Sequence, residues 1–204
     1  IFIPIISENK KEIEKKIEVS DPDYIIDPNS LIITNLKKIS DKPNAYFRDI
    51  YKKNSSGLVL FSSGTTGTPK AMVHDFDNLL SNYIEGKTKN LIFLVFLLFD
   101  HIGGLNTMLS ILSMGSTMVI PEKRDSEGIA ELIQKFKVNI LPVSPTFLNL
   151  MNISGVFENF DLSSLKLITY GTEPMSQSLL KNINLKLPKT RLIQTFGTSE
   201  TGII

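Results

Sequence analysis

At 204 residues the chain is long enough for one sizeable hydrophobic core or for parts of two. Apolar residues at 42% against 21% charged exclude a disordered chain, and a net charge of +1 from 22 basic and 21 acidic residues excludes a nucleic-acid binder held by bulk electrostatics. The absence of cysteine rules out a disulfide framework and a thiolate zinc site, and the longest apolar run, 91–99, is too short to cross a bilayer as a helix.

Taken in chain order, 1–5 (IFIPI) reads as a strand, and 10–19 as a short amphipathic helix whose interleaved lysines and glutamates form a solvated face around Ile13 and Ile17. Strands are predicted at 24–26 and 31–33. Residues 40–56 are polar and turn-rich and read as a linker. An apolar strand at 58–61 leads into SSGTTGTPK at 62–70. Further strands are predicted at 91–99, 117–120, 138–141, 165–170 and 191–195, and helices at 77–85, 104–113, 126–136, 145–152 and 174–183. Pro145 after Ser144 and Pro174 after Glu173 suit first helical positions. Strands alternating with helices predict an α/β fold with parallel or mixed sheets layered with helices.

The run at 62–70 is too polar and flexible to fill a core, and its composition suits an anion. Gly64 and Gly67 permit tight turns and close backbone approach, while Ser62, Ser63, Thr65, Thr66 and Thr68 carry hydroxyls and Lys70 a positive charge. A phosphate chain is the natural guest. The glycine spacing, Pro69 before the lysine and Ala71 after it exclude both the Walker A loop and the dinucleotide fingerprint.

The run resembles the phosphate-binding signature of the adenylate-forming (AMP-dependent synthetase/ligase) enzymes, which include acyl-CoA synthetases, luciferases and nonribosomal adenylation domains. Two more patches fit in the expected order. TYGTEPM at 169–175 resembles the glycine turn that borders adenine, and QTFGTSETG at 194–202 resembles the Tyr-Gly-x-Thr-Glu signature, with Phe196 and Ser199 in the tyrosine and threonine places. The resemblance implies that Thr65, Thr66, Gly67 and Lys70 hold the β- and γ-phosphates of ATP. It implies that Ser199 meets the α-phosphate, that Glu200 ligates Mg²⁺, and that Phe196, with Gly197 beside it, stacks on an adenine lined by Gly171, Thr172 and Glu173.

The implied reaction joins a small carboxylic acid to ATP as an acyl-adenylate and passes the acyl group to a thiol, CoA or a carrier-protein phosphopantetheine arm. The patch at 99–104 (FDHIGG) fits two subclasses. His101, Gly104 and Leu105 match the His-x-x-Gly-Leu pattern that borders the acyl pocket of acyl-CoA synthetases. Phe99 and Asp100 match the pair by which amino-acid adenylation domains hold an ammonium group. The helical stretch after it favours the acyl pattern, and a non-catalytic nucleotide-binding module is a third reading. Leu141, Val143, Phe147 and Leu150 suit either a pocket wall or the core.

Ala71 and Phe76 depart from the usual glycine and histidine, but no charged group of the pattern is lost. By this resemblance the 204 residues are expected to be the central part of a larger AMP-binding N-terminal domain. The ribose-binding aspartate, the lid domain and its lysine would then lie in the remainder of a parent chain, and the piece alone would be inactive. No signal-peptide pattern is seen, and the expected location is the cytoplasm.

Overall fold

The computed structural model describes residues 1–37, 45–62, 69–171, 173–198 and 202–203. They form two compact units, Ile1–Asn82 and Tyr83–Ile204.

In the first unit, α1 (Lys10–Ser20) starts at Asn9, whose side chain accepts from the Lys11 N–H, and stops at Asp21 in the left-handed region (φ 43°). Its lysine face is solvated except at Lys16. That ammonium is buried against Glu12 at 2.8 Å and lies 5.5 Å from the Phe61 ring centroid. Strands β1 (Tyr24–Ile26) and β2 (Ile33–Asn35) pair antiparallel. The strand expected at 31–33 starts two residues late because Leu31 adopts φ 56° and its N–H closes a turn on the Asp27 carbonyl.

The expected linker is corrected in part. A 3-10 turn at Ala45–Phe47 leads into α2 (Arg48–Lys53), with Phe47 and Ile50 buried, while 40–44 lie outside the described residues. Strand β3 (Gly57–Ser62) pairs antiparallel with β4 (Lys70–Asp75), a strand not expected from sequence. α3 (Phe76–Ser81) follows, capped by Asp75 and ending four residues before the predicted 85. The strand expected at 1–5 reduces to one bridge, Phe2 to Leu58.

The second unit alternates strand and helix as predicted: β5 (Ile92–Leu94), α4 (Ile102–Met114), β6 (Thr117–Val119), α5 (Ser126–Phe136), β7 (Ile140–Val143), α6 (Pro145–Ile153), α7 (Val156–Asn159), β8 (Leu167–Tyr170), α8 (Gln177–Lys186) and β9 (Arg191–Gln194). The five strands form a parallel sheet in the order β6-β5-β7-β8-β9. A short antiparallel pair follows, β10 (Gly197–Thr198) with β11 (Gly202–Ile203).

Alternation along each strand divides the side chains between two faces. Leu94, Leu141 and Ile168 join Ile129 and Ile133 of α5, Leu148 and Met151 of α6, and Leu179 and Ile183 of α8 in the main core. Phe93, Val95 and Ile140 face the other way with Ile111 of α4. Helices on both faces let apolar strands be buried on both sides. Pro145 holds the first position of α6 behind the Ser144 cap. Pro174 does not start α8, which begins at Gln177 because the Ser176 hydroxyl accepts from the Leu179 N–H.

The middle of the sheet is unequally fastened. β7 pairs with β8 at four positions, Ile140 to Val143, but with β5 only at Phe93↔Ile140. Asn139 rivets that one end. Its N–H donates to the Ile92 carbonyl at 2.8 Å, and its Oδ1 accepts from the Ile92 N–H at 3.1 Å. Three residues on comes Pro142, which has no N–H to offer a neighbour and is rare inside sheets for that reason.

Candidate active site

Each of the three motifs follows a strand. Ser62 ends β3 and faces Lys70, the first residue of β4, across the antiparallel register, so the two ends of the phosphate-type run are brought opposite each other. Ser63, Gly64, Thr65, Thr66, Gly67 and Thr68 lie outside the described residues, as do Thr172, Ser199 and Glu200.

In the second unit, the second and third motifs meet at the carboxyl ends of the neighbouring parallel strands β8 and β9. The Thr195 N–H donates to the Tyr170 carbonyl at 2.7 Å, and its hydroxyl donates to the same oxygen at 3.2 Å. A Cβ on Gly171 would stand 2.7 Å from the Thr195 carbonyl oxygen, so this approach requires glycine. Phe196, next along, is 71% exposed. Its ring is not a core aromatic.

Glu173 does not simply edge this turn. Its carboxylate accepts from the Thr146 N–H at 2.7 Å, in the first turn of α6. Hydrogen bonding from the Thr146 side chain, then from its backbone N–H, holds the Glu173 carboxyl below the usual carboxylate range. The turn after β8 and the start of α6 are thereby tied together.

The 99–104 patch is the entry to α4. Only Ile92–Leu94 of the predicted nine-residue strand pairs in the sheet. The chain then turns, and His101 caps α4 by accepting the Gly103 N–H at its Nδ1, 3.0 Å away. With Nδ1 an acceptor, the proton of the neutral ring sits on Nε2. A side chain on Gly104 would collide with the Leu98 carbonyl and stand 2.8 Å from that of Leu97, so this motif glycine answers to packing.

Between α4 and the sheet lies a cavity of about 430 Å³. One wall is a stripe of α4, namely Gly103, Asn106, Thr107, Ser110 and Met114, and the other is Phe93, Ile140, Pro142, Leu167 and Thr169. His101, Gly171 and Thr195 border it, so the acyl-type and adenine-type patches of this unit open on one space. Of the four residues left between wall and core, Val143 lines the cavity. Leu141 and Phe147 belong to the main core, and Leu150 is half exposed. The polar residues of α4 were not anticipated, although their i, i+3 and i+4 spacing in an otherwise apolar helix is a readable signal.

An α/β sheet whose glycine turns gather at strand carboxyl ends defines a class that binds ligands at that edge. The sequence matches the family described as AMP-binding enzyme over residues 4–204, and the chain belongs to this adenylate-forming family, whose members act on ATP and an acid. It is similar to 4-coumarate:CoA ligase 1 of Petunia hybrida, 32% identical over 152 residues. That alignment takes in 70% of this chain and 28% of the petunia protein. It is likewise 34% identical to the 4-coumarate–CoA ligase of Vanilla planifolia, again over 70% of this chain and 28% of the relative. The chain therefore spans under a third of the length of these relatives.

Among solved structures, the luciferase-like enzyme of the Zophobas morio mealworm aligns with TM-score 0.61 and 26% identity over 84% of this chain and 38% of its own. A putative long-chain-fatty-acid CoA ligase from Rhodopseudomonas palustris aligns with TM-score 0.72 over the whole chain and 58% of its own. At 20% identity it speaks for the fold alone.

Proposed function

We propose that this chain serves the ATP-dependent activation of a carboxylic acid. A carboxylate oxygen attacks the α-phosphorus of ATP, pyrophosphate leaves, and the acyl-adenylate then passes its acyl group to the thiol of CoA with loss of AMP. The observation that carries the reading is the cavity beside α4, bordered by His101, Gly171 and Thr195, with the exposed Phe196 following Thr195 in the chain. Such transfers depend on positioning and charge neutralisation more than on covalent help from the protein.

In this reading Thr65, Thr66, Gly67 and Lys70 cradle the β- and γ-phosphates, Ser199 meets the α-phosphate and Phe196 stacks on adenine. Glu200 is the residue for Mg²⁺, which would neutralise phosphate charge. His101 offers its Nε2–H at the cavity end where the acid meets ATP. The acid is one without an α-ammonium group. Among the described residues the cavity is lined by His101, while Asp100, the partner an ammonium would need, is not part of that lining.

The test is ATP–pyrophosphate exchange with a panel of acids on the longest protein that contains this sequence. Lys70→Ala is expected to cut exchange at least about tenfold, mainly through a higher KM for ATP, consistent with losing one charge-assisted contact. Exchange that is absent with every acid, or untouched by Lys70→Ala, refutes the reading.

A further inference from the structure

One lysine of α1 breaks with its neighbours. Lys10, Lys11 and Lys15 meet solvent, whereas Lys16 is 6% exposed. Its ammonium is aimed by a short relay. Glu12, one turn earlier, holds it at 2.8 Å through Oε1, and the Ser7 hydroxyl donates to Oε2 of the same carboxylate at 2.7 Å. Hydrogen bonding from Lys16 first, then from Ser7, holds the Glu12 carboxyl below the usual carboxylate range. The ammonium so placed lies 5.5 Å from the Phe61 ring centroid, within range of a cation–ring attraction that strengthens where water is excluded. Packing alone does not call for a cation here. A methionine would fill a similar space with no charge to desolvate, and apolar replacement of buried charges is often neutral or stabilising.

Phe61 stands one residue from the end of β3. The last two rungs of the β3–β4 hairpin are Phe61↔Ala71 and Ser62↔Lys70. Alternation turns Phe61 to one face of the hairpin and Ser62 and Lys70 to the other. Pairing opens most easily at strand ends. These two rungs fix where the two ends of the phosphate-type run stand, and Lys16 bears on them from behind, on the face away from the Lys70 side chain.

Resting on the acid-activating reading, we propose that Lys16 is a positioning residue for ATP. By capping the Phe61 ring it keeps the Ser62–Lys70 end of the hairpin closed and so sets where the Lys70 charge meets the phosphates, without touching them itself.

Calorimetric titration of magnesium-ATP into the longest protein that contains this sequence tests this, with urea melts of the same variants. Lys16→Met is expected to weaken ATP binding about fivefold, within the worth of one buried cation–ring contact, while leaving stability unchanged or raised. That split separates positioning from a merely structural role, which would lower both. Lys16→Arg, which keeps a cation over the ring, should stay within about twofold of the parent. Phe61→Leu should weaken binding as Lys16→Met does, and the double variant should bind no worse than either single one, since both remove the same contact. Binding untouched by Lys16→Met, losses that add in the double variant, or a Lys16→Met protein that does not fold overturns the proposal and leaves acid activation intact. A parent that binds ATP without pyrophosphate exchange on any acid overturns acid activation, while the binding cycle still decides the role of Lys16. A parent that does not bind ATP overturns both.

Discussion

Glu173 shows how a residue read from a motif acquires a physical task. The resemblance places it beside adenine, and the structure gives its carboxylate an appointment at the first turn of α6, on the Thr146 N–H. A carboxylate at a helix N-terminus meets unsatisfied amides and the positive end of the helix dipole. Because its folded-state pKa is lowered, the stability it supplies is fully present above the unfolded value of about 4.3 and is lost as pH falls through the folded value. Glu173→Gln should therefore cost about 0.3 kcal/mol near neutrality, at the low end for such charges because this one sits close to water. The variant should also lose less stability on acidification below about pH 4.5 than the parent. Urea melts at neutral and acid pH compare the two, and identical acid limbs would refute this assignment. Sequence could name Glu173, because the family resemblance covers its motif. It could not find Thr146, 27 residues away, because nothing local to either residue encodes that meeting.

At the scale of elements, the sequence reveals period and fails on extent. Of the helices that line the main core, α5, α6 and α8 were legible from their spacing and α5 was placed at its observed bounds, while the one-turn α7, which gives Val156 to that core, is too short to show a period. The run at 91–99 reads as one long strand because a fully buried strand is apolar throughout and carries no alternation to mark where it stops. What ends it is tertiary. The Leu97 and Leu98 carbonyls pack onto Gly104, and the chain turns to enter α4. β4 escaped notice for the opposite reason, since KAMVHD is largely exposed or half-buried and its first residue belongs to a motif. α2 looked like linker because only Ile50 of its six residues is buried. The joint at Gly104 makes a definite prediction. Gly104→Ala forces a methyl against backbone carbonyls that cannot swing aside, so it should destabilise by about 2 kcal/mol or more. Urea denaturation should show a lower midpoint with an unchanged slope. A variant as stable as the parent would return this glycine to the substrate.

At the scale of the molecule, the site is a matter of which ends meet. Two of the three motifs share an edge of the parallel sheet, as their positions after strands required. The chain spans 28% of the petunia relative's length, and we propose that it is the central piece of a larger nucleotide-binding domain. Pyrophosphate exchange by these 204 residues alone is then expected to fall at least about a hundredfold below that of a longer protein, since groups that position ribose and acid would be missing. Comparable turnover by the short chain would sink that proposal.

The five strands divide into two leaves, β6-β5 and β7-β8-β9, sewn by the Asn139–Ile92 hydrogen bonds and the pair Phe93↔Ile140 and joined like the covers of a book along a short spine. The cavity reaches both leaves. Whatever occupies it becomes a second clasp, so occupancy and the stiffness of the sheet are one equilibrium seen from two sides. Amides flanking the spine should then exchange with deuterium more slowly when the cavity is filled, and those of the well-stitched β7–β8 seam should hardly change.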